Sequence, residues 1–136
     1  MGLDNGLIIK PKTDKGAEYL SENFDYLKNK YSSDIEYEFF YARKCWNIRY
    51  RFFEYNLGYD ADHRYLKIAD LVSVVNDVLK YFLNEDNWDR SESIWDWEVQ
   101  VPHIAEAIKN LRFLIKDVEY GDISDEDLEI YFYDSY

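Results

Sequence analysis

The chain has 136 residues and a formal net charge of -12 at pH 7, with 28 acidic and 16 basic side chains. Its length suits a single globular domain covering residues 1–136, and its aromatic fraction of 19% argues against disorder. The negative charge disfavours direct binding of nucleic acid or of an anionic membrane, because both need a positive surface. We expect no signal peptide and no membrane span, and the lone Cys45 fits a reducing compartment, so the predicted location is the cytoplasm.

The first 30 residues predict a strand followed by a helix. Residues 3–10 end in a β-branched pair and predict a strand, with a turn at or just before residues 4–6. Thr13 or Asp14 can cap a helix that reaches about Lys30. Glycine lowers helix propensity, so the glycine in the first turn should weaken this helix.

The next stretch predicts a second strand and a second helix. Residues 35–41 alternate Ile, Tyr, Phe and Tyr with acidic and aromatic side chains, which predicts a half-buried strand. From Ala42 to Leu57, the apolar side chains recur at helical spacing, which predicts a helix that ends near Gly58.

The rest of the chain mixes loops, helices and a final strand. The patterns first predict a polar loop at 59–64, a short strand or the start of a helix at 65–68, and a helix at 70–83. An acidic loop at 84–96 and a helix with Pro102 in its first turn follow, and this helix ends at Gly121. A capped turn at 124–127 and a strand at 128–133 complete the prediction. The predicted fold class is therefore α+β, with a small, mostly antiparallel sheet of three or four strands and about four helices packed on one face.

Several short segments resemble a known group of proteins. The opening M-G-L-D, the R-K-C-W motif formed by Arg43, Lys44, Cys45 and Trp46, the tryptophan-rich residues 87–97 and the Y-F-Y-D-S-Y ending are similar to a family of small uncharacterised proteins from phages, prophages and Firmicutes. The resemblance spans most of the chain. It implies an accessory protein of a phage or mobile element in a bacterial host, and it transfers no catalytic residues. Ala42 stands where a second bulky aromatic residue is commoner in the family, so the shape of a pocket does not transfer.

The basic and aromatic run after Tyr41 provides the first candidate site. Arg43, Asn47 and Arg51 would share one face of a helix, and guanidinium groups bind phosphates through paired hydrogen bonds. The predicted function is non-enzymatic sequestration of an anionic, nucleotide-like ligand, with an anti-defence role. The predicted ligand-binding residues are Arg43, Lys44, Trp46, Asn47, Arg49, Tyr50, Arg51 and Trp95. The alternative is an internal network in which these arginines pair with carboxylates such as Glu36 and Glu38.

The C-terminal segment provides the second candidate site, because residues 117–136 hold acidic and tyrosine side chains and no Lys or Arg. Such a face would suit an inhibitor that occupies the basic groove of a host nucleic-acid-binding protein. The predicted partner-binding residues are Asp122, Asp125, Glu126, Asp127, Glu129, Tyr131, Tyr133 and Asp134. The alternative for this segment is an edge strand whose charge prevents aggregation.

Catalytic and metal sites are less well supported by the sequence. Cys45 with His63 or His103 could form a nucleophile–base pair, although free cysteines are commonly buried apolar residues. Asp60, Asp62 and His63 lack the spacing of an established metal site. We therefore expect a binding protein rather than an enzyme, with no cofactor and no metal, and we leave homo-oligomer formation open.

Overall fold

A computed structural model describes residues 4–43, 63–79 and 94–135 of the chain. These residues form four strands and three helices. In chain order the elements are β1 (Asp4–Pro11), α1 (Asp14–Phe24), β2 (Tyr37–Arg43), β3 (His63–Leu66), α2 (Ile68–Ser73), α3 (Ile94–Glu119) and β4 (Leu128–Ser135). A π-helical segment, Val74–Leu79, continues α2, and single 3-10 turns cover Asp25–Leu27 and Asp125–Asp127. The predicted α+β class is confirmed, with three helices in the described ranges rather than about four.

The four strands form one antiparallel sheet in the order β2-β1-β4-β3. β4 pairs with β1 along its whole length, from Leu128 opposite Pro11 to Ser135 opposite Asp4. Because β4 also pairs with β3, it is a central strand and its backbone is hydrogen-bonded on both sides. The alternative that this segment is an exposed edge strand is therefore wrong.

One side of the sheet and all three helices enclose a single apolar core. On β4 the core residues are Leu128, Ile130 and Phe132, which confirms the predicted alternation. On α3 they follow the 3–4 spacing of a helix face and are Ile104, Ala107, Ile108, Leu111 and Leu114. Each large apolar side chain buried here contributes about 1.5–3 kcal/mol, so this stripe explains why α3 packs on the sheet.

β1 and β2 differ from the predicted elements. The turn predicted at residues 4–6 is wrong, because Asn5 and Gly6 lie within β1 and have partners in both β2 and β4. The alternative, a turn just before these residues, lies outside the described residues. β2 contains a β-bulge opposite the step from Leu7 to Ile8. A bulge adds one residue to a strand and shifts its alternation, so both Phe39 and Phe40 join the core while Tyr41 is exposed.

The helix predicted from Ala42 does not begin there. Ala42 and Arg43 are the last residues of β2 and pair with Asn5 and Asp4, because β1 offers free backbone partners up to its first residue. The helical i, i+4, i+8 face predicted to start at Arg43 is therefore wrong at its first position. The remainder of the predicted helix, residues 44–57, lies outside the described residues.

α1 begins as predicted but ends early. The Thr13 side chain accepts a hydrogen bond from the Gly16 backbone N–H at 3.1 Å and caps the helix. The helix ends at Phe24 rather than near Lys30, because a 3-10 turn follows and Lys28 then bridges to Tyr37 of β2. The early end lets the chain turn back towards the sheet.

α3 begins earlier than predicted. It starts at Ile94, so Trp95 lies in a helix rather than a loop, and Pro102 lies inside the helix rather than in its first turn. Packing of the apolar stripe supplies most of the stability of such a helix and outweighs the local signals. Gly121, with φ of 82°, follows the helix as predicted, because glycine adopts this left-handed conformation without strain.

The observed limits of α2 and β3 also differ from the predicted ones. α2 begins at Ile68 rather than Asp70, and the Asp125 carboxylate accepts a hydrogen bond from the Ile68 N–H at 2.8 Å. His63 and Arg64, which were expected in a loop, belong to β3. Among the residues that the structure describes, no helix has the length and apolar character needed to cross a bilayer.

Candidate functional site

The side of the sheet opposite the helices carries four tyrosines, one or two from each of three strands. Residues that face each other across antiparallel strands share a side of the sheet. Ile8 faces Glu38 and Tyr131, Gly6 faces Tyr41 and Tyr133, and Tyr65 faces Tyr131. We call this surface the tyrosine face. Its members with described side chains are Gly6, Ile8, Lys10, Glu38, Tyr41, Tyr65, Glu129, Tyr131 and Tyr133.

A glycine allows one of these rings to lie against the backbone. A Cβ placed on Gly6 would collide with the ring of Tyr133 on the neighbouring strand. An aromatic ring packed over a cross-strand glycine replaces the contacts that a side chain would have made. Gly6 therefore lets the Tyr133 ring lie flat on the sheet, and Ile8 is also buried on this side.

Tyr131 lies at the centre of the tyrosine face. Its ring centre is 5.9 Å from that of Tyr65, and the Lys10 ammonium group lies 5.7 Å from it. Burial raises the pKa of Tyr131 to about 12, and the charges of Glu36 and Glu129 add to this rise. The face therefore presents a neutral phenol whose ring already contacts a cation, beside carboxylates.

Three carboxylates of this region form no ion pair with a cation of the described residues. Burial raises the pKa of Glu38, and the nearby charge of Glu36 raises it further. Within the described ranges, the only ion pair joins Lys10 to Asp34 at 3.6 Å, so Glu36, Glu38 and Glu129 have no cationic partner there. Tyr65 keeps 69% of its surface exposed and Tyr41 keeps 41%. Within the described residues, the region therefore combines exposed aromatic rings with carboxylates that form no ion pair.

The structure divides the residues predicted for partner binding into two groups. Glu129, Tyr131 and Tyr133 lie on the tyrosine face, where sequence analysis did not foresee that Tyr41 and Tyr65 would join them. Alternation within each strand could indicate which side these tyrosines take. The tyrosines meet because strands that are distant in sequence pair with each other, and this pairing has no local sequence signal.

The other predicted partner residues lie mainly in the connection between α3 and β4. Asp122, Asp125 and Glu126 are exposed there. Asp127 is buried, because it accepts hydrogen bonds from the Thr13 hydroxyl at 2.7 Å and from the Ser124 hydroxyl at 3.1 Å. Its role is therefore to join two parts of the fold. Asp134 pairs with Asn5 in the sheet, and its side chain lies outside the described part.

The residues predicted for the anionic ligand are mostly outside the described ranges. Arg43 ends β2 and Trp95 lies in α3. The remaining predicted ligand-binding residues, which fall outside, are Lys44, Trp46, Asn47, Arg49, Tyr50 and Arg51. The ligand site and the alternative arginine network therefore stay predictions.

The residues considered for chemistry are not brought together in the described part of the chain. His63 begins β3 and His103 is exposed on α3, whereas Cys45, Asp60 and Asp62 fall outside the described ranges. The described side chains contain no group of three or more His, Cys, Asp or Glu residues arranged to hold a metal ion.

Comparison with known proteins adds no relative. No protein-family model matches the chain, and searches of curated proteins and of solved structures give no significant match. The resemblance to phage and prophage proteins therefore stays a prediction.

Proposed function

We propose that this protein acts by stoichiometric binding and that the tyrosine face binds a basic protein partner. The observation that carries the proposal is the contact between the Lys10 ammonium group and the Tyr131 ring, 5.7 Å from the ring centre. This contact within the protein supports the proposal, because it places a cation against a ring of this surface. A cation above an aromatic ring contributes about 0.5–1 kcal/mol at exposed sites and about 2 kcal/mol when water is excluded.

The charges around the rings favour the same class of partner. Glu36 and Glu129 lie beside Tyr131, and Glu38 lies near Glu36. None of the three forms an ion pair with a cation of the described ranges. An incoming Arg or Lys would neutralise them, whereas an acidic contact surface would add repulsion. The net charge of -12 extends this preference over longer distances and would speed encounter with a basic surface.

The aromatic content suits a protein interface. Tyrosine is enriched among residues that dominate binding energy, because it buries a large rigid surface and keeps a hydrogen-bonding group. Tyr65 and Tyr41 present such surface on the tyrosine face, with 69% and 41% of their areas exposed. The proposed partner is a protein with a basic groove of the kind that binds nucleic acid. In a phage or mobile element, this protein would then act as an inhibitor of such a host protein.

Calorimetry with an octa-arginine peptide in low salt tests the proposal. Tyr65→Ala should weaken binding about tenfold, which corresponds to about 1.4 kcal/mol. The matched control is Tyr31→Ala, because Tyr31 is fully exposed and lies outside the tyrosine face. Neither substitution changes the charge at neutral pH, so a difference between them reports the aromatic surface rather than general attraction to an acidic protein.

Two results would overturn the proposal: the absence of binding at about 100 µM peptide, or equal affinities of the two variants.

The sequestration of an anionic ligand by the Arg43–Arg51 segment is a separate proposal. Its residues are mostly outside the described ranges, so that proposal rests on the sequence alone. A panel of signalling nucleotides in the same calorimetric experiment would test it, and uniformly flat titrations would reject it.

A further inference from the structure

α3 carries a basic and aromatic stripe on its exposed side. Residues three, four and seven apart on a helix lie on the same side. The stripe that follows this spacing, called here the helix stripe, consists of Ala105, Lys109, Arg112, Phe113, Lys116 and Tyr120. All six residues are exposed, and a surface depression with Ile108 at its base runs between most of them.

The helix stripe is a strongly positive surface on an acidic protein. Within the described ranges, Lys109, Arg112 and Lys116 form no ion pair. Phe113 lies between them with 53% of its surface exposed, and the Lys116 ammonium group is 5.7 Å from the centre of the Tyr120 ring. Aromatic and arginine side chains in this combination are typical of protein interfaces.

The helix stripe and the tyrosine face lie on opposite sides of the fold. The other side of α3 contributes Ile104, Leu111 and Leu114 to the core, which lies between α3 and the sheet. The helix stripe therefore points away from the sheet, and the tyrosine face is the far side of that sheet. One surface offers cations and aromatic rings, whereas the other offers carboxylates and aromatic rings.

We infer that the helix stripe of one copy binds the tyrosine face of a second copy. Arg112 and Lys116 would meet the carboxylates of Glu36, Glu38 and Glu129, which form no ion pair with a described cation. Phe113 would pack against the exposed ring of Tyr65. The charge complementarity of the two surfaces selects this occupant. Because the surfaces differ, the contact is head-to-tail and builds rings or open chains rather than a closed symmetric dimer.

This inference rests on the proposed function, since the tyrosine face again receives a basic surface, here supplied by the same protein. A basic partner and a second copy would then compete for one site. Binding of the partner should therefore dissociate assemblies, and assembly should lower the apparent affinity for the partner.

Sedimentation velocity between about 5 and 200 µM in low salt tests the inference. The wild-type mass should rise with concentration, and Arg112→Glu/Lys116→Glu should stay monomeric. The matched control is Lys12→Glu/Lys15→Glu, which changes the net charge equally at two exposed lysines outside both surfaces. The control should assemble like the wild type. A monomeric wild type, or equal assembly of the two double variants, would overturn the inference.

Mixing two defective variants tests the head-to-tail arrangement. Tyr65→Ala damages the tyrosine face and keeps the helix stripe, whereas Arg112→Glu/Lys116→Glu does the reverse. Each variant alone should remain monomeric, and an equimolar mixture should form one-to-one dimers. A mixture that stays monomeric would overturn the inference.

The octa-arginine titration separates the two proposals. Arg112→Glu/Lys116→Glu should still bind the peptide, because its tyrosine face is intact. Peptide binding without wild-type assembly rejects the self-association alone. Loss of both peptide binding and assembly rejects the proposed function as well.

Discussion

Gly16 in the first turn of α1 contacts the backbone carbonyl group of Asp127, and a Cβ at Gly16 would overlap the carbonyl oxygen. The same carbonyl group accepts a hydrogen bond from the Lys12 N–H at 2.8 Å. The Asp127 carboxylate accepts a hydrogen bond from the Thr13 hydroxyl at 2.7 Å. The start of α1 and the turn before β4 therefore form one joint, although more than 100 residues separate them in sequence.

Gly16→Ala should destabilise the protein by about 1–3 kcal/mol, the usual cost of forcing extra volume into a packed site. This cost exceeds the gain of about 1 kcal/mol that alanine normally gives inside a helix. Urea unfolding followed by circular dichroism measures the difference. Glu18→Ala, an exposed substitution in the same helix, should stay within about 0.5 kcal/mol of the wild type. A Gly16→Ala variant as stable as the wild type would show that the start of α1 can move away from the turn before β4 at little cost.

Thr13→Ala should destabilise the protein most at neutral pH. The hydrogen bond from Thr13 lowers the pKa of Asp127, partly offset by burial, and the Ser124 hydrogen bonds lower it further. A lowered folded-state pKa stabilises the protein above the unfolded value of about 3.9, and this stabilisation is lost as the pH falls through the folded pKa. Loss of the cap itself costs about 1 kcal/mol at any pH.

Unfolding of wild type and Thr13→Ala at a series of pH values checks this prediction. The difference between the two proteins should be largest above about pH 5 and should shrink below about pH 3. Asp127→Asn in both backgrounds is the control, since it removes the titrating group. A difference that is constant across the series would contradict the assigned hydrogen bond.

Local sequence signals predicted three of the element ends correctly, whereas the end of α1 and the starts of α2 and α3 were misplaced. Thr13 caps α1 and Ser124 begins a capping box with Asp127, as expected from residue types within three positions of each other. Gly121 ends α3 for the same kind of reason. These features depend on hydrogen bonds between near neighbours, so a single sequence contains the information that determines them.

Contacts between distant strands could not be predicted in this way. From the sequence, Gly16 was expected only to weaken the first turn of a helix. The carbonyl group that leaves no room for a side chain there comes from Asp127, near the other end of the chain. The β-bulge that exposes Tyr41 has no clear local signal either. The tyrosine face was therefore half predicted: Tyr131 and Tyr133 were identified, whereas Tyr65 joins them only through the strand order.

Tyr26→Phe should destabilise the protein although Tyr26 is largely exposed. The Tyr26 hydroxyl donates a hydrogen bond of 2.5 Å to the side-chain oxygen of the buried Asn110. The Asn110 side-chain nitrogen has no hydrogen-bond partner among the described residues. Removing the hydroxyl leaves a second buried polar atom unpaired, which costs about 1–3 kcal/mol.

A double-mutant cycle with Asn110→Leu tests this interpretation by chemical unfolding. Tyr26→Phe/Asn110→Leu should be closer in stability to the wild type than Tyr26→Phe is, because both polar partners are then replaced by apolar groups. The exposed Tyr120→Phe provides the control and should be neutral. Additive effects of the two substitutions would mean that the hydrogen bond contributes nothing.

Tyr131 should ionise late in an alkaline titration and should report occupation of the tyrosine face. Burial raises its pKa to about 12, with contributions from Glu36 and Glu129. A raised tyrosine pKa stabilises the fold while the phenol is neutral, so this contribution is lost as the pH rises above about 10. Carbon-13 NMR of labelled tyrosine rings can follow the group, and Tyr131→Phe assigns its signal.

Glu36→Gln should lower the pKa of Tyr131, because it removes a neighbouring negative charge. Saturating octa-arginine should also lower it if arginine side chains bind beside the ring, whereas an unchanged pKa would place the bound peptide elsewhere on the protein.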